Sequence, residues 1–62
     1  MEHELVFDGK IVGCFSGNVP RSGEQVTWSI NHQVNNFYVL AVRWTMGYGI
    51  GLRATVEIGL RP

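Results

Sequence analysis

The segment Leu52-Arg-Ala-Thr-Val-Glu-Ile-Gly-Leu-Arg61 alternates between apolar residues and charged, polar or small ones. Successive side chains of a β-strand point to opposite faces, so this period of two predicts a strand with one face in a core. A slip of one residue would bury the charged side chains, and the pairing register is therefore strongly specified. The residues that we expect on the inner face are Leu52, Ala54, Val56, Ile58 and Leu60.

The remainder of the chain has the composition of an all-β protein. Eight valines and four isoleucines suit a pleated surface, and eight glycines interrupt almost every window that is long enough for a helix. The apolar patterning predicts four further strands, at 3–8, 10–16, 26–30 and 37–44. Loops are expected at 17–23, 31–36 and 45–51.

Asp8-Gly9 stands between the first two predicted strands. Glycine adopts positive φ freely and aspartate tolerates it, so this pair favours a two-residue hairpin turn. A single long bent strand with a bulge at Gly9 is an alternative that the sequence leaves open. Alternation within the strands predicts a core made of Leu5, Phe7, Ile11, Val26, Trp28, Val39, Val42, Val56 and Ile58.

A chain of 62 residues has room for one small core, and we expect residues 1–62 to form a single domain. Five short strands cannot bury their inner faces as a flat sheet of this size. Closing the sheet also removes most of its exposed edges. We therefore predict a small five-stranded, antiparallel β-barrel in which helix is nearly absent.

Two segments carry a resemblance to a known group of proteins. Residues 19–26 are Val-Pro-Arg-Ser-Gly-Glu-Gln-Val, and residues 37–44 are Phe-Tyr-Val-Leu-Ala-Val-Arg-Trp. Together they resemble the pattern of short SH3-like barrel proteins of bacteria and of phage and other mobile elements. The resemblance implies an SH3-like barrel and an accessory protein of a bacterial or phage mobile element.

The second of these segments also predicts an irregular strand. Val39, Val42 and Trp44 change from odd to even positions, so all three can face the core only if one residue is inserted between them. If all three belong to the core, a β-bulge near Leu40 and Ala41 must redirect the strand. The connection between residues 30 and 37 is longer than the tight turn that this pattern usually has.

Composition limits the compartment and the partners. The formal charge is zero, since five basic residues balance five acidic ones, and there is no basic field to attract nucleic acid. Cys14 is the only cysteine, which excludes an intramolecular disulfide and favours a reducing compartment. The acidic N-terminal sequence and the shortness of the apolar runs favour a cytoplasmic protein.

We predict no catalytic, cofactor or metal site, because the sequence lacks the motifs of hydrolases and of nucleotide-binding enzymes. Cys14 lies in an apolar strand, where we expect it to be buried and unreactive. His3 is interpreted as a frayed terminal residue and His32 as a loop residue, with no obvious third metal ligand. An oligomeric small-barrel enzyme is the second alternative function. The type II plasmid dihydrofolate reductases are such enzymes, but their Val-Gln-Ile-Tyr segment does not occur here.

Binding of single-stranded nucleic acid is the first alternative function. Small barrels present aromatic side chains for base stacking and basic side chains for the backbone. The candidate residues are Trp28, Arg43, Trp44, Tyr48 and Arg53. The balanced charge argues against this function, because little counterion would be released on binding. Pairing of the first and last strands would moreover place Glu4 near Arg53 or Arg61.

Several apolar residues do not fit the proposed core. If Leu5 and Phe7 face inward, alternation sends their neighbours outward, and such exposed apolar residues mark an interface. The predicted interface consists of Val6, Val12, Cys14, Tyr38 and Leu40. A small chain without disulfides also gains stability by burial between copies. We therefore predict a non-enzymatic accessory or interaction protein that forms a homo-oligomer, with a dimer first and a different protein as the other possible partner.

Overall fold

The computed structural model describes residues 2–49 and 51–61. Its strands are β1 (Glu2–Phe7), β2 (Lys10–Ser16), β3 (Gln25–Ile30), β4 (Gln33–Gly47) and β5 (Gly51–Gly59). They form one sheet in the order β2-β1-β5-β4-β3, which curls into a half-barrel. The prediction of a small, five-stranded all-β barrel is confirmed. In these two ranges there is no helix that is long and apolar enough to cross a membrane.

The strands β1 and β5 pair in parallel, so the prediction of a purely antiparallel sheet is wrong for this pair. The other neighbouring strands pair antiparallel. The reason is the odd number of strands. When each strand reverses the direction of the one before it, the first and the fifth run the same way, and these two lie side by side in the middle of the sheet.

Two-residue turns connect β1 to β2 and β3 to β4. Asp8 and Gly9 have φ angles of 53° and 76°, which confirms the hairpin and not the single bent strand. Asn31 and His32 also have positive φ angles, of 52° and 66°. The strand β4 begins directly after them at Gln33, so the predicted loop at this place is wrong. Most of that loop is the polar start of a strand.

The core consists of six side chains from β1, β4 and β5 that are at most 2% exposed. They are Leu5, Phe37, Val39, Ala54, Val56 and Ile58. The predicted register of β5 is confirmed, because Val56 and Ile58 are buried. Four other predicted core residues are half-buried and pack against this cluster, namely Phe7, Val26, Trp28 and Val42. Leu52 lies on the inner face as predicted, but both Leu52 and Leu60 are near the ends of the strand and are exposed.

The prediction that Ile11 belongs to the core is wrong, because a β-bulge changes the alternation in β2. Leu5 pairs with Gly13 whereas Val6 pairs with Ile11, so Val12 is an extra residue between the two pairs. Ile11 is therefore turned outward and is 63% exposed. Val12 packs against the core in its place.

A second bulge lies between Val39 and Ala41 in β4, where the sequence predicts one. Leu40 is the extra residue, and the residues after it face the core at even positions. The loop between β2 and β3 docks at this bulge. The N–H of Gly23 donates a hydrogen bond of 2.8 Å to the Val39 carbonyl, and the N–H of Val39 donates one of 2.8 Å to the Glu24 carbonyl.

The strands β2 and β3 are the two edges of the sheet, and no backbone ladder joins them in the part of the chain that the structure describes. The indole of Trp28 crosses from one edge to the other. Its Nε1 donates a hydrogen bond of 3.3 Å to the Val12 carbonyl, and its ring lies over Gly13. One side chain therefore connects the two edges of the half-barrel.

Candidate functional site

The structure divides the predicted interface between separate places. Val6 and Cys14 lie on the outer face of β1 and β2, whereas Tyr38 and Leu40 lie on β4, on the far side of β5. Val12 packs against the core. The five residues therefore do not form one continuous apolar surface.

The outer face of β5 and its neighbours carries two ion pairs. Nη2 of Arg43 lies 3.6 Å from Oε2 of Glu57, and Nη1 of Arg53 lies 3.5 Å from Oε1 of Glu4. The second contact confirms that pairing of the first and last strands brings these opposite charges together. Partly exposed pairs of this kind contribute about 0–1 kcal/mol to stability. Their larger effect is to place polar groups between the two halves of the predicted interface.

The residues predicted for nucleic-acid binding are spread over both faces of the sheet. Arg43 and Arg53 lie on the outer face, beside carboxylates. Trp44 lies on the inner face, because its partner on β5 is a core residue. Trp28 connects the two edges of the sheet, and Tyr48 lies in the turn after β4. A base stacked on Trp44 would thus be on the opposite side of the sheet from both arginines.

The end of the β4–β5 hairpin extends past the start of β1. Glu4 pairs with Thr55, so the first residue of β1 is level with Arg53. No strand of the described chain lies beside the earlier residues of β5 or their partners on β4. We call the end of this hairpin, residues 44–49 and 51–52, the arm. Trp44 and Thr45 form its base, level with the first residues of β1. The molecule is elongated, with a longest dimension of 35 Å against 23 and 21 Å.

The inner face of the arm is apolar and open to water. Trp44 pairs with Ala54 and Met46 pairs with Leu52, which places all four side chains on the face that carries the core. Trp44 is nevertheless 53% exposed, Met46 79% and Leu52 38%. Tyr48, in the turn that follows β4, is fully exposed. The alternation of apolar side chains that is typical of a core strand thus continues into the arm, where the core no longer covers them.

His3 supports the base of the arm, so its interpretation as a frayed terminal residue is wrong. The side chain is 7% exposed, and its Nδ1 accepts a hydrogen bond of 3.0 Å from the N–H of Ala54. The ring also lies 5.3 Å from that of Phe15 and 5.8 Å from that of Trp44, measured between centroids. His3 therefore fixes β5 and holds one side of Trp44.

A cleft of about 370 Å³ borders Trp44 on the side of the loop between β2 and β3. Its other lining residues are Val42 of β4 and, from the loop, Val19, Pro20, Arg21 and Ser22. The loop is held there by its hydrogen bonds to the bulge of β4, one of which Ser22 Oγ donates to the Leu40 carbonyl at 3.3 Å. The inner face of the arm thus has a recess beside its largest side chain.

The remaining candidate residues are separate from the arm. Cys14 is exposed, so the prediction that it is buried is wrong, and the reason is that it pairs with Glu4 on the outer face. His32 lies in a turn, as predicted. Within residues 2–49 and 51–61, no three His, Cys, Asp or Glu side chains are grouped closely enough to hold a metal ion.

The arm itself was not predicted, because the glycines at 47, 49 and 51 indicated a turn over the whole of 45–51. A signal was present nonetheless. Trp44, Met46 and Leu52 continue the apolar alternation at even-numbered positions, and residues 44–52 include no charged residue. Comparison of the chain with family models, curated proteins and solved structures finds no match.

Proposed function

We propose that this protein is a non-enzymatic interaction protein that self-associates, and that the inner face of the arm is its contact surface. The observation that carries this proposal is the exposure of Trp44, Met46 and Leu52 on one face of an extended hairpin. A two-stranded hairpin alone is marginally stable in water, and contiguous exposed apolar surface marks an interface. Coverage by another copy would stabilise the arm and form the contact in one step.

The arm is a better candidate than the interface predicted from the sequence. Val6 and Cys14 are separated from Tyr38 and Leu40 by β5, whose outer face carries charged residues. The three inner-face residues of the arm are instead neighbours on two paired strands. The resemblance to short mobile-element proteins supports an accessory role in a bacterium or phage, and the single cysteine supports a cytoplasmic location.

Light scattering coupled to size-exclusion chromatography tests the proposal with one variant and a matched control. Met46→Glu places a charge on the arm, and Val34→Glu places one on the same strand at a distant site of similar exposure, 66% against 79%. We expect the unmodified protein and Val34→Glu to double in mass at high concentration. Met46→Glu should keep the monomer mass, with circular dichroism confirming that it is folded.

Two results would overturn the proposal. An unmodified protein that stays monomeric over a hundredfold range of concentration does not self-associate. A Met46→Glu variant that still dimerises shows that the arm is not the contact, and Leu40→Glu would then test the interface predicted from the sequence.

A further inference from the structure

We infer that two copies form a two-fold symmetric dimer in which the inner faces of their arms pack against each other. This inference rests on the self-association proposed above, and it names the occupant of each arm as the arm of a second copy. A two-fold contact uses the same surface on both subunits. The inner face must therefore be large enough for a dimer contact, and it must be complementary to itself in charge and shape.

The exposed area matches the requirement of a small dimer. With about 200 Å² for a fully exposed large side chain, the exposed fractions of four residues amount to roughly 550 Å² per copy. These residues are Trp44, Met46, Tyr48 and Leu52. Complete coverage of these side chains in two copies would bury about 1,100 Å² in total, close to the ~1,000 Å² expected of a specific interface. Tyr48 lies in the turn and supplies about two fifths of this area. The loop residues that line the cleft beside Trp44 would add to this surface.

The absence of charge permits the arm to contact its own copy. The sequence between Trp44 and Leu52 contains no charged residue, so a two-fold axis through the arm brings no like charges together. Arg43 and Arg53 flank the arm but lie on the outer face, where carboxylates pair with them. A second apolar arm matches residues 44–49 and 51–52, which carry no charge. The cleft beside Trp44 does include one charged residue, Arg21, in its lining.

The inner face also has a projection and a recess that can fit each other. Met46 is the most exposed of its three side chains, and the cleft beside Trp44 holds about 370 Å³. Sheets that pack face to face lie about 10 Å apart, with interdigitating side chains. In a two-fold arrangement, Met46 of each copy would enter the cleft of the other.

Cross-linking of single-cysteine variants tests which face is at the contact. In a Cys14→Ser background, Met46→Cys places a thiol on the inner face of the arm. Thr45→Cys is the matched control. Thr45 directly precedes Met46 and is also exposed, but it pairs with Arg53 on the outer face. Each variant is treated with a bis-maleimide whose reach matches the ~10 Å separation of packed sheets. Light scattering measures the molecular mass of each variant at the same protein concentration.

We expect several-fold more cross-linked dimer from Met46→Cys than from Thr45→Cys. Leu52→Cys is a second inner-face variant, in case the change at 46 weakens the contact. Equal cross-linking at 45 and 46 would overturn the inference, and so would a dimer by light scattering in which neither inner-face variant cross-links. Self-association would stand in both cases. An unmodified protein that is monomeric at every concentration would overturn both proposals.

A lipid surface is the other occupant that the arm's chemistry suits, because tryptophan and tyrosine favour membrane interfaces. Co-sedimentation with phosphatidylcholine vesicles separates the two occupants. We expect the unmodified protein to stay in the supernatant. Vesicle binding by a monomer, lost in Met46→Glu and kept in Val34→Glu, would mean that lipid covers the arm and would overturn the dimer.

Discussion

The indole ring of Trp28 occupies the space that a side chain at position 13 would need. A Cβ on Gly13 would overlap Cζ2 of Trp28, far closer than two carbon atoms can approach. Gly13 is not among the glycines with positive φ, so the backbone conformation does not require it. The glycine is required because the Trp28 ring of β3 lies against β2 at this position.

We expect Gly13→Ala to lower the free energy of unfolding by about 1–3 kcal/mol, because the ring must move as in other overpacked cores. Urea denaturation measures the change. The smaller ring of Trp28→Phe leaves room for the methyl group, so the double variant should lose less stability than the sum of the two single variants. Strict additivity would show that the two residues are not in contact.

We expect His3→Phe to cost about 1–3 kcal/mol, although it keeps an aromatic ring beside Phe15 and Trp44. The loss arises because the N–H of Ala54 donates to His3 Nδ1, and phenylalanine leaves this buried donor without an acceptor. Hydrogen exchange of the Ala54 amide should accelerate in the variant. His32→Asn is the control, since the turn residue is exposed and asparagine tolerates its positive φ. A His3→Phe variant as stable as His32→Asn would contradict this role.

The alternation of apolar residues predicted some strands well and others poorly, for a physical reason. In β5 one face is covered by the core along most of its length, so Val56 and Ile58 were identified correctly. In β2 the extra residue Val12 reverses the alternation. No residue type indicates such an insertion in the sequence, so the alternation predicts the wrong face for Ile11. Gln33 and the polar residues after it have no face that is covered by the core. Their sequence therefore predicts a loop, although they form the start of β4.

The candidate site was hard to predict because it depends on where neighbouring strands end. The sequence shows that Trp44, Met46 and Leu52 share one face of a hairpin. It does not show that β1 begins level with Arg53 and leaves that face uncovered. Exposure of an alternating apolar strand is thus a property of the whole sheet.

We expect Val56→Ala to cost about 1–3 kcal/mol, because it leaves a cavity at a fully buried position between β1 and β4. The matched control is Val34→Ala, which removes the same atoms at a position 66% exposed and should change stability by less than about 0.5 kcal/mol. Chemical denaturation compares the two. Equal losses would mean that the register of β5 is not the one described.

We expect the dimer to persist at high sodium chloride and to strengthen in sodium sulfate. The arm has no charged residue for salt to screen, whereas sulfate favours burial of apolar surface. Sedimentation equilibrium at several salt concentrations measures the dissociation constant. A contact made by the ion pairs of the outer face, such as Arg43 with Glu57, would instead weaken as chloride is added. Such weakening would show that the contact between copies is not made by the arm.

We expect the melting temperature of the unmodified protein to fall by several degrees over a hundredfold dilution. A partner that binds only the folded chain raises stability by mass action, and a small domain converts each kcal/mol into a shift of several degrees. Met46→Glu should melt at a temperature that does not depend on concentration and that lies below the value for the concentrated unmodified protein. Val34→Glu should keep the dependence on concentration, because its position is far from the arm on the same strand. Differential scanning fluorimetry at matched concentrations makes the comparison. An unmodified protein whose melting temperature is unchanged by dilution would show that folding does not depend on a second copy, and that the exposed arm is stable by itself.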